Sequence, residues 1–196
     1  DGRDAITIRH LLTHTSGLRP GISLEGWDGH DECIAKCCAE IPQHPPGTVF
    51  IYSDINFQLL NEIIRRTSKH PIDTFCQQEI FNPLKMKDTG YNPPPSKHNR
   101  IAPTTLENGR WLHGTVHDPW ARKTRGIAGH AGLFTTAPDL ARFCRMILNG
   151  GELDGVLIFK KETVMEWVRI QNPEQKDAKN RPARRPRRRR RRSGSA

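Results

Sequence analysis

The chain has 196 residues, 35% hydrophobic and 27% charged, with a net charge of +10; that length suits one domain with a lean core. Residues 181–192 hold nine arginines and no acid, so the rest of the chain carries only +1 and the basicity belongs to the tail. No apolar run reaches the roughly eighteen residues that a membrane-spanning helix needs, and Asp1-Gly2-Arg3-Asp4 lacks the charged-then-apolar pattern of a signal peptide. Five cysteines, an odd number, argue against a complete internal disulfide framework. The chain does not open on methionine, which fits a processed chain or a fragment, and the compartment stays open.

In chain order, Thr7 is placed to cap a short helix over Ile8 to His14, which Ser16-Gly17 ends with a turn. Residues 19–29 form a glycine-bearing loop, and a second helix is predicted from about His30 to Ile41. Pro42 to Gly47 link it to the most informative stretch. There, Val49 to Tyr52 reads as a brief extended segment, and Ile55, Leu59, Leu60, Ile63 and Ile64 recur at helical spacing. Ser53 or Asp54 is expected to cap this third helix, which ends near Ser68. Tyr52 therefore stands where an extended segment meets a helix start, beside unpaired backbone N–H groups.

Pro71 opens a further helix over Ile72 to about Phe81. Residues 82–98, dense in proline, are irregular, and 99–118 hold short extended pieces such as Arg100-Ile101-Ala102 and Trp111-Leu112-His113. The glycine-dense run from Gly126 to Gly132 follows. Thr136 then caps a helix with Pro138 and Asp139 in its first turn and Leu140, Phe143, Ile147 and Leu148 on one side. A last amphipathic helix covers about Lys161 to Arg169 through Val164, Trp167 and Val168. The organisation expected is one partial domain over 1–172 and a disordered Arg-rich tail over 173–196, where apolar residues nearly vanish.

Three segments carry a resemblance. They are Ile6-Thr7-Ile8-Arg9-His10-Leu11-Leu12-Thr13-His14-Thr15-Ser16-Gly17-Leu18, Pro46-Gly47 through Tyr52-Ser53-Asp54, and Gly129-His130-Ala131-Gly132-Leu133-Phe134-Thr135-Thr136-Ala137-Pro138-Asp139-Leu140. Ile80 to Gly90 adds a fourth. In this order they resemble the serine β-lactamase-related superfamily: class C-type β-lactamases, penicillin-binding D-alanyl-D-alanine carboxypeptidases and serine esterases. The resemblance implies an α+β fold, an antiparallel sheet flanked by helices, of which this chain supplies mainly the helical part and short strands. It implies acyl-enzyme hydrolysis of an ester, β-lactam or peptide amide, a small-molecule substrate, no cofactor, and a periplasmic or other extracytoplasmic setting. Tyr52 matches the family's general-base position. Asp54, Gly129, His130 and Gly132 fall on the substrate side.

The family's chemistry needs a serine activated by a lysine one helical turn later, with a tyrosine sharing protons. Three residues after Ser16, Ser23, Ser53, Ser68 and Ser96 come Arg19, Gly26, Asn56, Pro71 and Asn99, so no Ser-x-x-Lys occurs. The expectation is a central fragment, inactive alone. His130-Ala131-Gly132 has the letters of the family's late Lys/His-x-Gly element but directly precedes the Asp139 helix, and it reads as the glycine-rich turn. Asp54 stands where the family has an asparagine; an ionised carboxylate accepts but cannot donate an amide hydrogen bond, which favours esters over β-lactams.

Other patterns give less. His10 and His14 lie one helical turn apart without the accompanying glutamate of a zinc motif, and Cys33 and Cys37 share a helix face with Ile34, which suits small buried hydrophobes; no metal site is assigned. His117-Asp118 are adjacent, so their side chains point apart, and they are read as a loop near the cleft. The arginine run offers nonspecific attraction to nucleic acid or an anionic surface, the alternative being a non-catalytic binding protein.

Overall fold

The computed structural model describes residues 1–172; the Arg-rich segment read as a disordered tail lies outside the described residues. The first helix, α1 (Ile8–Leu12), opens on a capping box. Thr7 Oγ1 accepts the His10 N–H at 3.3 Å, and the Thr7 N–H donates to His10 Nδ1 at 3.2 Å. It ends two residues before the predicted His14 because His14 takes a left-handed backbone, φ 56°, which a right-handed helix cannot include.

Helix α2 (Gly29–Ala39) and helix α3 (Asp54–Ser68) pack together, with α1 against α3. Their shared core holds Leu11, Leu18, Trp27, Cys33, Ile55 and Trp120. Cys33 and Cys37 are free thiols buried in that core. The Trp120 Nε1–H donates to Cys33 Sγ at 3.0 Å, which satisfies the indole as burial demands.

The segment ahead of α3 is not a strand. Only an isolated bridge forms at Phe50, and the segment is tied to the turn after α1: Gly47 N–H to Thr15 O at 2.7 Å and Ile51 N–H to His14 O at 2.9 Å. Neither Ser53 nor Asp54 caps α3 through its side chain. The Ser53 hydroxyl donates instead to the Arg19 carbonyl at 2.7 Å, and the Asp54 N–H bonds Pro20 O at 2.8 Å. The loop before α2 supplies what a cap would have supplied.

Helix α4 (Ile72–Cys76) widens into a π turn over Gln77–Phe81, so together they cover the predicted span. Strands are two residues long: β1 (Gly90–Tyr91), β2 (Leu106–Glu107), β3 (Arg110–Trp111), β4 (Leu133–Phe134), β5 (Glu152–Leu153) and β6 (Val156–Leu157). All pairs are antiparallel, β1 with β4, β2 with β3 and β5 with β6. Of Arg100-Ile101-Ala102, read as extended, Arg100 ends a 3₁₀ turn over Pro95–Arg100 and none belongs to a strand.

Helix α5 (Pro119–Lys123) fills the stretch between the extended pieces and the glycine-dense run, for which the sequence predicts no element. Helix α6 (Ala137–Leu148) begins at Thr136, whose hydroxyl accepts the Asp139 N–H at 3.4 Å. Its packed face differs from the predicted stripe. Leu140 and Leu148 are exposed, while Met146 and Asp139 are buried. Asp139 tolerates burial because its Oδ2 accepts the Asp88 N–H at 2.7 Å and the Thr89 hydroxyl at 2.9 Å. Helix α7 (Lys161–Trp167) buries Val164 and leaves Trp167 and Val168 exposed. A second core of Phe81, Leu84, Met86, Met146 and Leu153 joins the α4 end to α6 and β5.

Candidate active site

Tyr52 stands at the entrance to α3 with its side chain 61% exposed. Its ring rests on the His14 imidazole, centroids 4.6 Å apart and planes inclined by 36°. The pKa of its phenol is raised above the ordinary tyrosine value. The main cause is the Asp54 charge; partial burial and the charge of Asp118 add to it. Two carboxylates beside a phenol disfavour the phenolate. At neutral pH the hydroxyl therefore keeps its proton.

Asp118 was read from sequence only as part of a loop. The structure makes it a junction. Its Oδ1 accepts the Ala121 N–H at 2.7 Å, capping α5, and lies 3.0 Å from His130 Nε2. Asp118 and His130 stand twelve positions apart with α5 between them, and no periodic pattern predicts that pairing; the Asp-Pro start of a helix is the only sequence signal for the carboxylate. The His130 side chain is 5% exposed and packs on Trp120 with ring centroids 5.2 Å apart. Its Nδ1 is buried without a hydrogen-bond partner, which places the ring proton on Nε2, toward Asp118.

Gly129 and Gly132 shape the turn that carries His130. A Cβ on Gly129 would lie 2.0 Å from the Phe57 carbonyl oxygen, so only glycine lets this turn rest on the α3 backbone. Gly132 takes φ 108° with the Gly126 carbonyl 2.3 Å from where a Cβ would stand, a conformation suited to glycine. His130, Ala131 and Gly132 line a cavity of about 780 Å³ together with Lys97, Arg100 and His117. Tyr52 and Asp54 are not among its lining residues. Asp118 thus bonds His130 and, with Asp54, acts on Tyr52 by charge, while Gly129 serves packing and Gly132 the cavity wall.

The serines nearest Tyr52 are occupied. Ser16 and Ser53 are buried, and their hydroxyls donate to Asn56 Oδ1 at 2.6 Å and to the Arg19 carbonyl. Neither has a lysine partner, so neither is activated as a nucleophile. Among the described residues no group of three or more His, Cys, Asp or Glu side chains could hold a metal ion, and no helix is long and apolar enough to cross a membrane.

A small helical layer with brief antiparallel pairs, a tyrosine at a helix entrance and a glycine turn across from it define a β-lactamase/transpeptidase-like α+β protein. The chain belongs to the Beta-lactamase family, whose model matches residues 1–194. It is 31% identical over 186 residues to an N-acetylmuramyl-L-alanine amidase of Bacillus subtilis (strain 168), covering 83% of this chain and 42% of that protein. To a protein of Escherichia coli (strain K12) provisionally named as a D-alanyl-D-alanine carboxypeptidase it is 33% identical over 188 residues, covering 83% and 43%. The structure of a β-lactamase/D-alanine carboxypeptidase from Pseudomonas syringae superposes with a TM-score of 0.61 at 23% identity, covering 76% of this chain and 40% of that one, a likeness of fold. The chain thus spans less than half the length of these relatives.

Proposed function

We propose that the chain furnishes one wall of a serine acyl-transfer site that acts on small esters or amides, with Tyr52 as its proton-handling phenol and Asp54 beside it on the substrate side. The observation that carries this reading is the exposed Tyr52 hydroxyl at the start of α3, held by a fixed imidazole and a fixed loop. It is supported by membership of a family whose members hydrolyse such bonds, and by relatives named as an amidase and a carboxypeptidase.

In acyl transfer a serine attacks the carbonyl, an acyl-enzyme forms, and water releases the acyl group. A phenol takes the serine proton only when a neighbouring cation lowers its pKa. Here both charges acting on Tyr52 are negative, and the 196 residues contain no Ser-x-x-Lys. The chain as it stands therefore holds the proton-handling wall without an activated serine, and its Asp54 accepts hydrogen bonds where an amide side chain would also donate.

Reactivity tests this. The chain is incubated with a fluorescent penicillin and with a chromogenic ester, and intact mass and turnover are read. The expected result is no covalent adduct and ester hydrolysis equal to that of Tyr52→Phe. A stable acyl adduct, or turnover lost in Tyr52→Phe, would refute the absence of a nucleophile.

A further inference from the structure

His14 is the residue that fixes Tyr52, and its own state is set by a chain of donors. The Leu18 N–H donates to Ser16 Oγ at 3.2 Å, so the Ser16 proton goes to Asn56 Oδ1 at 2.6 Å. That orients the Asn56 amide, whose Nδ2 lies 3.3 Å from His14 Nδ1. The Ser53 N–H, a backbone donor that cannot reverse, reaches the same nitrogen at 3.1 Å. Asn56 and Ser16 are buried, so the direction of this relay is enforced by the cost of an unsatisfied polar group in the interior.

Two donors converging on Nδ1 leave it no room for a proton. The imidazole proton sits on Nε2, and the ring presents its face to Tyr52. The same ring is flanked by Phe57 at 5.2 Å and Phe50 at 5.9 Å between centroids, so it is wedged between the α3 entrance and the segment before it. A left-handed φ of 56° at a non-glycine residue is uncommon. Here it swings the imidazole out of the α1 axis and under the Tyr52 ring.

We propose that His14 is a positioning residue for Tyr52: an imidazole held in the Nε2–H form by Ser53 and Asn56, on which the phenol ring is stacked and aimed. The proposal rests on the reading of Tyr52 as the proton-handling group, and it adds to that reading the residue that places it. Burial lowers the His14 pKa below the ordinary histidine value, with the Asp54 charge opposing in part. That agrees with a neutral ring at pH 7.

The test uses the full chain labelled with ¹⁵N-histidine and ¹³C-tyrosine. Long-range proton–nitrogen correlation at pH 7, with His14 assigned through its loss in His14→Asn, is expected to show the proton on Nε2; a proton on Nδ1 would overturn the proposal. Two variants separate acceptor from ring. His14→Asn keeps an acceptor in a residue that tolerates left-handed backbone, so the Ser53 amide stays protected from exchange while the Tyr52 ring signals move to those of a free tyrosine. His14→Phe keeps a ring and removes the acceptor, so the Tyr52 signals hold while the Ser53 amide exchanges at least about tenfold faster, a drop in opening free energy of roughly 1.4 kcal/mol. Unmoved Tyr52 signals in a folded His14→Asn protein would also overturn it. If neither variant folds, the wild-type proton position decides. No readout involves turnover, so a failed acyl-transfer reading and a failed positioning role are told apart.

Discussion

His130 Nε2 lies 3.0 Å from Asp118 Oδ1, and the same oxygen accepts the Ala121 N–H at 2.7 Å. One carboxylate oxygen therefore starts α5 and fixes the ring carried by the glycine turn ahead of α6. Asp118→Ala removes both. Loss of the cap costs about 1 kcal/mol, and the buried His130 N–H left without an acceptor adds about 1–3 kcal/mol. Asp118→Asn retains an oxygen acceptor and loses less than half as much. Urea unfolding midpoints of the two variants measure the difference.

Glu62 gives a pH signature. It is buried on α3, with Arg65 Nε at 2.7 Å, Arg66 Nε at 2.6 Å and His30 Nε2 at 2.9 Å. These partners, Arg65 first, hold its pKa down to about 2, against 4.5 when unperturbed. A carboxyl whose folded pKa is depressed binds protons more weakly folded than unfolded, so it stabilises above the unfolded value and loses that contribution as pH falls. Stability is predicted to decline from about pH 4.5 toward pH 2. Glu62→Gln, costing about 1–3 kcal/mol at pH 7 through weakened bonds to three donors, flattens this decline. Thermal melts across that range check it.

Gly129→Ala forces a Cβ to within 2.0 Å of the Phe57 carbonyl oxygen. The atom it meets is helix backbone, which cannot swing aside, so the turn must move off α3. Overpacking of this kind costs about 1–3 kcal/mol, and the displaced His130 changes the environment of Trp120, on which it packs. Unfolding with tryptophan fluorescence as probe reads both effects. A melt within about 0.5 kcal/mol of wild type would contradict the packing role.

Much of the helical layer was legible because its signals are local. Thr7 and Thr136 cap where their chemistry predicts, and the Ile55-to-Ile64 spacing marks α3 close to its observed span, Asp54–Ser68. Failures arose where tertiary contacts replace a local signal. Ser53 looks like a cap but spends its hydroxyl on Arg19, thirty-four residues away. Asp139 looks like a solvated first-turn acid but is buried by donors from Asp88 and Thr89. Two-residue strands are too short for any alternation to show. Of the candidate site, the resemblance pointed to Tyr52, Asp54 and the glycine turn, whereas the bond of Asp118 to His130 and the contact of His14 with Tyr52 arise only once the chain is folded.

Tyr52 stands beside the Asp54 and Asp118 carboxylates with its proton retained, and among the described residues no cation acts to lower its pKa. The direct measurement is the Tyr52 phenol titration, followed by ¹³Cζ chemical shift in tyrosine-labelled protein. The chain's two tyrosines give two signals, and Tyr52→Phe assigns them. Tyr52 is predicted to titrate above the unperturbed value of 10.0, and Asp54→Asn to lower its pKa more than Asp118→Asn does, in the order of the causes of the shift. A Tyr52 pKa below that unperturbed value, or one indifferent to Asp54→Asn, would contradict the account.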